Sequence, residues 1–397
     1  MTSIWTWKGT RVDGIERARR YSRIKERLGL FGTLIGLLVG GLFLLSGFPR
    51  SLARRTLPHR GSSLRSRSLF TTILVTGGWL AGLPFTYLSG YIIEHRFGLS
   101  RQSKSGWATD QLKGQLIGLA FAVPVTEGLY WIIRRFRRWW WLVAGLLTVP
   151  LTTLVVQLFP VLIAPRFNTY TPLDDEELTE RLQALAAQTG VEVAGVMTMD
   201  MSRRTSKANA FFAGLGPTRR IVLADTLVER FSPDEIEVIV AHEIAHQSNR
   251  DLWRFIALGA VFTLATGFVT DWVAGAFLRR WGRELLGTRD LADIRSLPAL
   301  GFFFSIASLL LTPVQLAYSR EIERRADAFA LALTRNPEAF SSAMKKLAET
   351  NLADPSPSRL RVWLLYSHPS IAERIARADA ARTIDRSQNQ NNMPEHP

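Results

Sequence analysis

Cysteine is absent from this chain, and histidine is scarce, with six in 397 residues. Without cysteine there is no disulfide framework and no thiol chemistry. Acidic residues are also in the minority: 34 aspartates and glutamates stand against 49 lysines and arginines, which gives a formal net charge of +15. Any enzymatic activity therefore has to do without a cysteine nucleophile.

The basic charge is concentrated at the ends of apolar runs. Apolar residues make up 47% of the chain, and arginines cluster between the runs, as at Arg134, Arg135, Arg137 and Arg138. Apolar blocks bounded by arginine clusters are typical of polytopic membrane proteins. Contact with anionic headgroups accounts for these clusters better than a nucleic-acid groove does, so no nucleic-acid partner is predicted.

Six apolar segments are each long enough to cross a bilayer, which takes about 20 residues. They are Leu30–Phe48, Phe70–Ile93, Gln115–Ile133, Trp139–Ile163, Phe255–Leu278 and Ser296–Tyr318. No small-residue cleavage site follows the first segment, which is therefore predicted to be a retained anchor and not a secretory signal. The lipid bilayer is the first partner that the sequence predicts.

The polar stretch between the fourth and fifth apolar segments is predicted to fold outside the bilayer. Asp174–Gly190 has the apolar spacing of a helix and ends at a glycine. Three short stretches are predicted strands: Val191–Ser202, Asn209–Gly214 and Arg219–Ala224. Ser232 can cap a further helix, with Pro233 in its first turn and Glu235 completing a capping box, and this helix is predicted to run to about Arg250.

These patterns predict a predominantly α-helical polytopic membrane protein with about six spans and a small α+β domain carrying a short β-sheet. The predicted divisions are a four-span membrane domain at 1–164, a polar segment at 165–254, a two-span hairpin at 255–318, C-terminal polar helices at 319–385 and a disordered tail at 386–397. The tail is predicted from its low-complexity run of glutamine and asparagine.

Two of the six histidines lie in the pentad His242-Glu243-Ile244-Ala245-His246. Residues four apart share one face of a helix, so both imidazoles can bind a single ion. Glu243 follows the first histidine directly and is placed to act as general base. The alternative is a chance occurrence of the pattern on an amphipathic helix. Its position on a capped helix, in a histidine-poor chain, favours a metal site.

A catalytic zinc ion requires a third protein ligand and one open position. The candidates are Glu321, Glu323, Asp327 and His368. Glu323 and Asp327 share a helical face, whereas Glu321 points about 200° away from Glu323. If Glu323 binds the metal, Asp327 can hydrogen-bond a ligand histidine. An ordinary solvated charged face remains an equally good interpretation of this block.

Several separated blocks of the chain resemble the type I CAAX prenyl endopeptidase family, integral-membrane zinc metallopeptidases that include the bacterial heat-shock membrane protease. The similarity runs from about Tyr91 to Arg374. Its blocks, in the family's order, are Tyr91–Gln102, Ala164–Asn168 with Thr171–Leu173, Asn209–Gly214, the pentad, Ser319–Asp327 in the form S-R-x-x-E-x-x-A-D, and His368-Pro369 with Arg374.

The resemblance implies roles for residues that spacing alone leaves open. It implies a zincin-like catalytic domain formed by a catalytic segment at 165–254 and catalytic helices at 319–385. It also implies that this domain holds one Zn²⁺ ion through His242, His246 and Glu323, with Asp327 supporting a ligand. It also implies that substrate lies beside Asn209 along an edge strand, with Phe211, Phe212 and Ala213 in contact. It further implies that His368 and Arg374 act at the catalytic centre, binding substrate or stabilising the oxyanion. The alternative, purely structural interpretations are that Asn209 caps a turn and that His368-Pro369 starts a helix.

The predicted function is a membrane-embedded zinc metalloendopeptidase that acts in membrane-protein quality control or peptide processing. Its predicted partner is a peptide or membrane-protein substrate. The alternative is a catalytically inactive scaffold or transporter with a structural metal site, against which an intact Glu243 argues. The basic N-terminal tail and the resemblance favour a plasma (inner) membrane location with the active site facing the cytoplasm, although the charge bias itself does not decide the side.

Overall fold

A computed structural model describes residues 12–57, 63–214 and 216–391 of the chain. Six of its helices are long and apolar enough to cross a membrane, as predicted. They are α1 (Val12–Leu45), α3 (Leu64–Tyr87), α5 (Lys104–Arg135), α6 (Trp140–Leu158), α10 (Asp251–Phe277) and α12 (Leu297–Thr334), with the short helices α2 (Phe48–Thr56), α4 (Ile93–Arg96) and α11 (Arg283–Leu285) beside them.

The first span ends earlier than predicted. Helix α1 stops at Leu45, three residues before the predicted end at Phe48. Gly47 has a φ of 69°, a left-handed conformation that glycine adopts without a steric penalty, and the chain restarts as α2 with Pro49 in its first turn. The apolar composition runs past this corner, which is why hydropathy alone places the boundary too late.

The catalytic segment contains a four-stranded sheet in the order β1-β2-β4-β3. The strands are β1 (Tyr170–Pro172), β2 (Val196–Met199), β3 (Ala210–Ala213) and β4 (Arg220–Ala224). β2 and β4 are parallel, while β1 and β3 run antiparallel to their neighbours, so β3 lies at an edge. The predicted strand Val191–Ser202 is wrong in extent, since only four of its residues pair. β1 escapes prediction because three residues ending in proline give no periodic signal.

The core of this segment is formed by the sheet, α7 (Glu176–Ala187), α8 (Asp225–Val228) and α9 (Pro233–Ser248). Leu178, Leu182, Leu185 and Ala186 form the buried face of α7, as their spacing predicts. The capping box of α9 is present, with Ser232 and Glu235 each bonded to the other's backbone N–H. Lys346 and Ser342 of α13 (Pro337–Asn351) bond Glu235 as well, which fixes α13 against α9.

The last span and the first C-terminal catalytic helix are one continuous element. Helix α12 carries the apolar run to Tyr318 and continues without a break to Thr334, so Glu323 lies on the extension of a membrane helix. Then follow α13, α14 (Arg359–Leu365) and α15 (Ile371–Asn391). The predicted disordered tail differs in part, since α15 is helical to Asn391; residues 392–397, with His396, lie outside the described residues, as does His59.

Polar contacts join the membrane spans to each other and to the catalytic segment. Glu94 is buried and accepts hydrogen bonds from Tyr21 and Lys25 of α1. Its second oxygen pairs at 2.9 Å with Lys207, which lies three residues before the first residue of β3. Because three chain segments meet on one buried carboxylate, the position of β3 is tied to that of α1.

Candidate metal and catalytic site

His242 and His246 lie on the face of α9 that packs against α12, where they meet Glu323. The His242 Nε2 atom is 3.1 Å from Oε2 of Glu323, and the His246 Nε2 atom is 3.7 Å from Oε1. One potential ligand atom from each of the three residues lies within 4.8 Å of the other two. Two imidazoles and one carboxylate at this spacing form a donor set suited to a single metal ion with an open position.

His242 is held between two carboxylates. Its Nδ1 atom is 3.0 Å from Asp327 while its Nε2 atom faces Glu323. Burial alone would lower the pKa of His242, but the hydrogen bonds to Asp327 and Glu323 outweigh it and raise the pKa to about 9. The two carboxylates thus make the surroundings of His242 favourable for positive charge, as a metal-binding site requires.

Asp327 is fully buried and is held in turn by Arg374. The guanidinium of Arg374, on α15, donates to both carboxylate oxygens of Asp327 at 2.6 to 3.1 Å. Arg374 is itself 8% exposed, so the pair is shielded from water. The predicted contact between Asp327 and a histidine is thus present, whereas Arg374 reaches the site mainly through Asp327.

Asp251 is a site residue that sequence reasoning missed. Its carboxylate is 3.0 Å from Nδ1 of His246, and the residue is 2% exposed. Arg250 adopts a left-handed conformation with a φ of 56°, which ends α9 and starts α10 with Asp251 as its first residue. A histidine and a carboxylate five residues apart do not share a face on a straight helix, so only the break at Arg250 brings them together.

Glu243 lies on α9 between the two histidines in sequence and is partly buried. Burial raises the pKa of this carboxyl, and the nearby Glu323 charge raises it further, although the histidines and Arg374 oppose the shift. A raised pKa moves a carboxylate toward the range in which it can both accept and return a proton.

The residues of the S-R-x-x-E-x-x-A-D block separate as their helical spacing predicts. Glu321 is exposed and pairs with Arg324 and Arg325 on its own helix, which is the solvated charged face considered from sequence. Glu323 faces the opposite way, into the site. His368 also reaches the site, with Nε2 3.3 Å from Glu323, and burial lowers the pKa of this histidine.

The edge strand β3 packs along α9 beside these residues. The Ala224 N–H donates to the C=O of Asn209, so the backbone groups of Asn209, Phe211 and Ala213 point toward β4. By the alternation of an antiparallel pair, the N–H and C=O groups of Ala210 and Phe212 then point to the free edge. The Asn209 side chain is exposed.

A cavity of about 970 Å³ lies against one face of the sheet, and residues of all four strands line it, among them Tyr170, Met197, Phe211 and Val222. It extends from Phe212 and Ala213 of β3 to Val155 and Phe159 at the end of α6, and Leu252 of α10 also lines it. Its walls thus come from both the sheet and the membrane helices. The structure combines a metal-type donor set, a neighbouring carboxylate, a free strand edge and an apolar cavity that reaches the bilayer level.

Two family descriptions cover most of the chain. Residues 172–382 match peptidase family M48, and residues 11–169 match the N-terminal region of CAAX prenyl proteases, described as having five membrane helices. The chain belongs to peptidase family M48. In this M48 chain the described part of 11–169 has four helices long enough to span, with the short α2 as a further helix.

Known proteins agree with this assignment. The M48 chain is 30% identical over 382 residues to the uncharacterized metalloprotease YhfN of Bacillus subtilis (strain 168), covering 96% of this chain and 86% of that protein. It is 30% identical over 392 residues to CAAX prenyl protease 1 of Saccharomyces cerevisiae, with 91% and 85% covered. The crystal structure of S. mikatae Ste24p has a TM-score of 0.78 at 25% identity, with 93% and 89% covered.

The family resemblance noted from the sequence blocks is therefore confirmed. This M48 chain is an integral-membrane metalloendopeptidase, a hydrolase of peptide bonds. Its family implies a metal, and the cluster of His242, His246 and Glu323 has the chemistry to bind one. The inactive scaffold or transporter is not favoured.

Proposed function

We propose that this chain binds one Zn²⁺ ion through His242, His246 and Glu323 and cleaves peptides that enter from the membrane. The observation that carries the proposal is the donor set itself: two imidazoles and a carboxylate within 4.8 Å, contributed by two different helices. This combination is the one that catalytic zinc sites use when they leave a fourth position open. When bound, the ion supplies an activated water and polarises the scissile carbonyl.

The protein's own groups handle the proton and the substrate. The Glu243 carboxylate accepts a proton and delivers it to the leaving amine. Asp327 and Asp251 hold the Nδ1 atoms of the two histidines, which leaves both Nε2 atoms facing Glu323. His368, with its Nε2 atom 3.3 Å from Glu323, can donate a hydrogen bond to an oxyanion. Arg374 positions Asp327 and so influences the reaction indirectly, through the contact of Asp327 with His242.

Substrate binds as an added strand on β3. The outward N–H and C=O groups of Ala210 and Phe212 pair with its backbone, and Asn209 lies at the end of that edge, where its side chain can reach the peptide. The apolar cavity between β3 and α6 accepts large apolar side chains. These features suit extended, apolar segments of membrane proteins, in quality control or in processing of a defined peptide. The name of the yeast relative makes a prenylated peptide the second candidate.

The active site faces the cytoplasm from the plasma (inner) membrane. Two spans, α10 and α12, lie between the histidines and Glu323, so both halves of the site emerge on one side of the bilayer. The absence of cysteine gives a clean test. A single cysteine replacing Glu180 should react with an impermeant maleimide in inside-out vesicles, and one replacing Glu284 should react in right-side-out vesicles. The reverse pattern would contradict this orientation.

The metal assignment is tested by cleavage of an unmodified and a prenylated peptide in lipid nanodiscs, with chelator and then with individual metals added back. Zn²⁺ should restore activity best, and metal analysis should give one ion per chain. Glu323→Gln should weaken metal binding by more than about 100-fold, beyond the loss expected for an outer partner. Glu321→Gln, on the exposed face, should leave it unchanged. Equal loss in both variants, or full activity after metal removal, would overturn the proposal.

A further inference from the structure

Helix α14 carries an apolar face that is left exposed by the part of the chain that the structure describes. Leu360, Trp363 and Leu364 are 64%, 52% and 37% exposed. They are three and four residues apart, so they form one stripe on the helix. Among the described residues of the two polar segments, 165–254 and 319–383, the one other large apolar side chain of comparable exposure is that of Trp253, at 50%, in the first turn of α10. The stripe is therefore unusual for its surroundings and calls for a partner.

Polar contacts to two membrane-spanning helices fix the height of α14 relative to the bilayer. The Arg361 guanidinium forms a two-pronged pair with Glu26 of α1, at 2.6 and 2.7 Å. Arg320 of α12 donates to the carbonyl oxygens of Val362 and Tyr366 at 2.9 and 2.7 Å. Both anchors come from membrane-spanning helices, so α14 cannot move relative to the spans without breaking these bonds.

Both anchors lie where their helices leave the apolar region. Glu26 is four residues before Leu30, the start of the first apolar run, and Arg320 is two residues after Tyr318, the end of the last. With a rise of 1.5 Å per residue, these are distances of about 6 Å and 3 Å along the helix axes. Helix α14 is thus held at the level of the membrane boundary on the metal-site side.

We propose that α14 lies in the membrane interface, with Leu360, Trp363 and Leu364 inserted among the lipids. A short amphipathic helix at this level buries its apolar face at the boundary of headgroups and acyl chains, where tryptophan is favoured. The neighbouring spans present side chains of similar exposure to lipid, among them Phe31 at 60% and Val314 at 59%. The two spans that anchor α14 therefore already expose large apolar side chains to the same degree, and the exposed Arg359 at the edge of the stripe can reach the headgroups.

This contact bears on the catalytic centre through the chain that follows. Tyr366, one residue after α14, donates its hydroxyl to Glu26 and is held by Arg320 through its carbonyl. His368 comes two residues later and lies 3.3 Å from Glu323. Lipid under α14 thus supports the segment that presents His368, in addition to the bonds to α1 and α12.

The proposal is tested by nitroxide labelling of single cysteines in the full-length, cysteine-free chain in liposomes. The label replaces Trp363 or, independently, Leu360, with Leu38→Cys as the lipid reference and Glu180→Cys as the water reference. Accessibility to oxygen relative to a water-soluble nickel chelate should be several-fold higher at 363 and 360 than at 180, and should approach the value at 38. Adding Leu360→Ser and Leu364→Ser to the Trp363→Cys chain should lower the ratio at 363.

Two results would overturn it. A ratio at both 363 and 360 equal to that at 180 would show that the stripe faces water. Low accessibility to both reagents, together with spin–spin broadening that disappears on dilution with unlabelled protein, would show that a second copy covers the stripe instead of lipid.

Discussion

Each histidine of the pentad has its own buried carboxylate on Nδ1. Asp327 holds His242 from the adjacent helix α12, and Asp251 holds His246 from the start of the next helix in the chain. Both contacts orient a ring so that Nε2 faces Glu323, and a carboxylate on the far nitrogen also makes an imidazole a stronger donor to a metal. The two aspartates differ in how closely a cation approaches them: Arg374 lies 2.6 Å from Asp327, whereas Arg254 lies 3.5 Å from Asp251.

Replacement of Asp251 by asparagine is expected to weaken metal binding. The amide keeps the shape but loses the charge that holds the His246 ring, so affinity should fall by about 10–100-fold. The measurement is competition with a chromophoric chelator. Asp234→Asn serves as the control and should bind metal normally, because Asp234 is an exposed acidic residue of α9, the helix that carries His246, and pairs with Arg181. Unchanged affinity in Asp251→Asn would mean that His246 needs no support from this side.

Metal affinity is also expected to depend on pH. In the metal-free protein the pKa of His242 is raised to about 9, so at neutral pH the ring is protonated and the metal has to displace that proton. Affinity should therefore fall about tenfold for each unit of decreasing pH below 9, and should level off above it. The measurement is calorimetry in two buffers of different ionisation enthalpy, and about one proton should be released for each ion bound at pH 7. No proton release would contradict it.

The separation of Glu323 from Glu321 was predictable, whereas the place of Asp251 was not. A helix puts two residues that are two positions apart on nearly opposite sides, so spacing alone divides the pair once one of them is known to face the site. The contact of Asp251 depends on a left-handed residue at Arg250, a conformation that arginine rarely adopts and that its sequence neighbours do not signal.

At the scale of elements, α9 follows from local sequence and the sheet follows only partly. The capping box and first-turn proline fix where α9 begins, and the structure has both. The edge position of β3 depends on which strands pair. β3 lies between β2 and β4 in sequence, yet β2 and β4 pair with each other in parallel and β3 lies outside them, an arrangement that the sequence does not indicate. In α12 the composition suggests a boundary that the structure does not have. The apolar run ends at Tyr318, but the helix continues without interruption to Thr334.

The free edge of β3 predicts an alternating response to changes in the substrate backbone. Only every second residue of an added strand hydrogen-bonds to Ala210 and Phe212, while its neighbours point away. N-methylation at successive positions of a cleaved peptide should therefore raise KM about fivefold or more at one set of alternate positions and little at the other, since each methyl removes a donor worth about 1 kcal/mol or more. A uniform response along the peptide would argue against strand addition.

At the scale of the whole molecule, the site is assembled through the membrane. His242 and Glu323 are 81 residues apart, and the chain between them crosses the bilayer region once in α10 and returns in α12. The number of spans and the even parity were predictable from hydropathy, and both halves of the site indeed meet. The interhelical packing that brings them to 3.1 Å, and the buried Glu94 that ties β3 to α1, depend on contacts between distant segments.

The central claim is that Glu243 is the proton-transfer group of a metal-dependent peptidase. The most direct measurement is a parallel assay of metal content and peptide cleavage in the wild-type protein and in Glu243→Gln, both in lipid. The variant should bind one Zn²⁺ ion with wild-type affinity and cleave about 10²–10⁴-fold more slowly. Cleavage at the wild-type rate by a fully loaded Glu243→Gln protein would contradict the account.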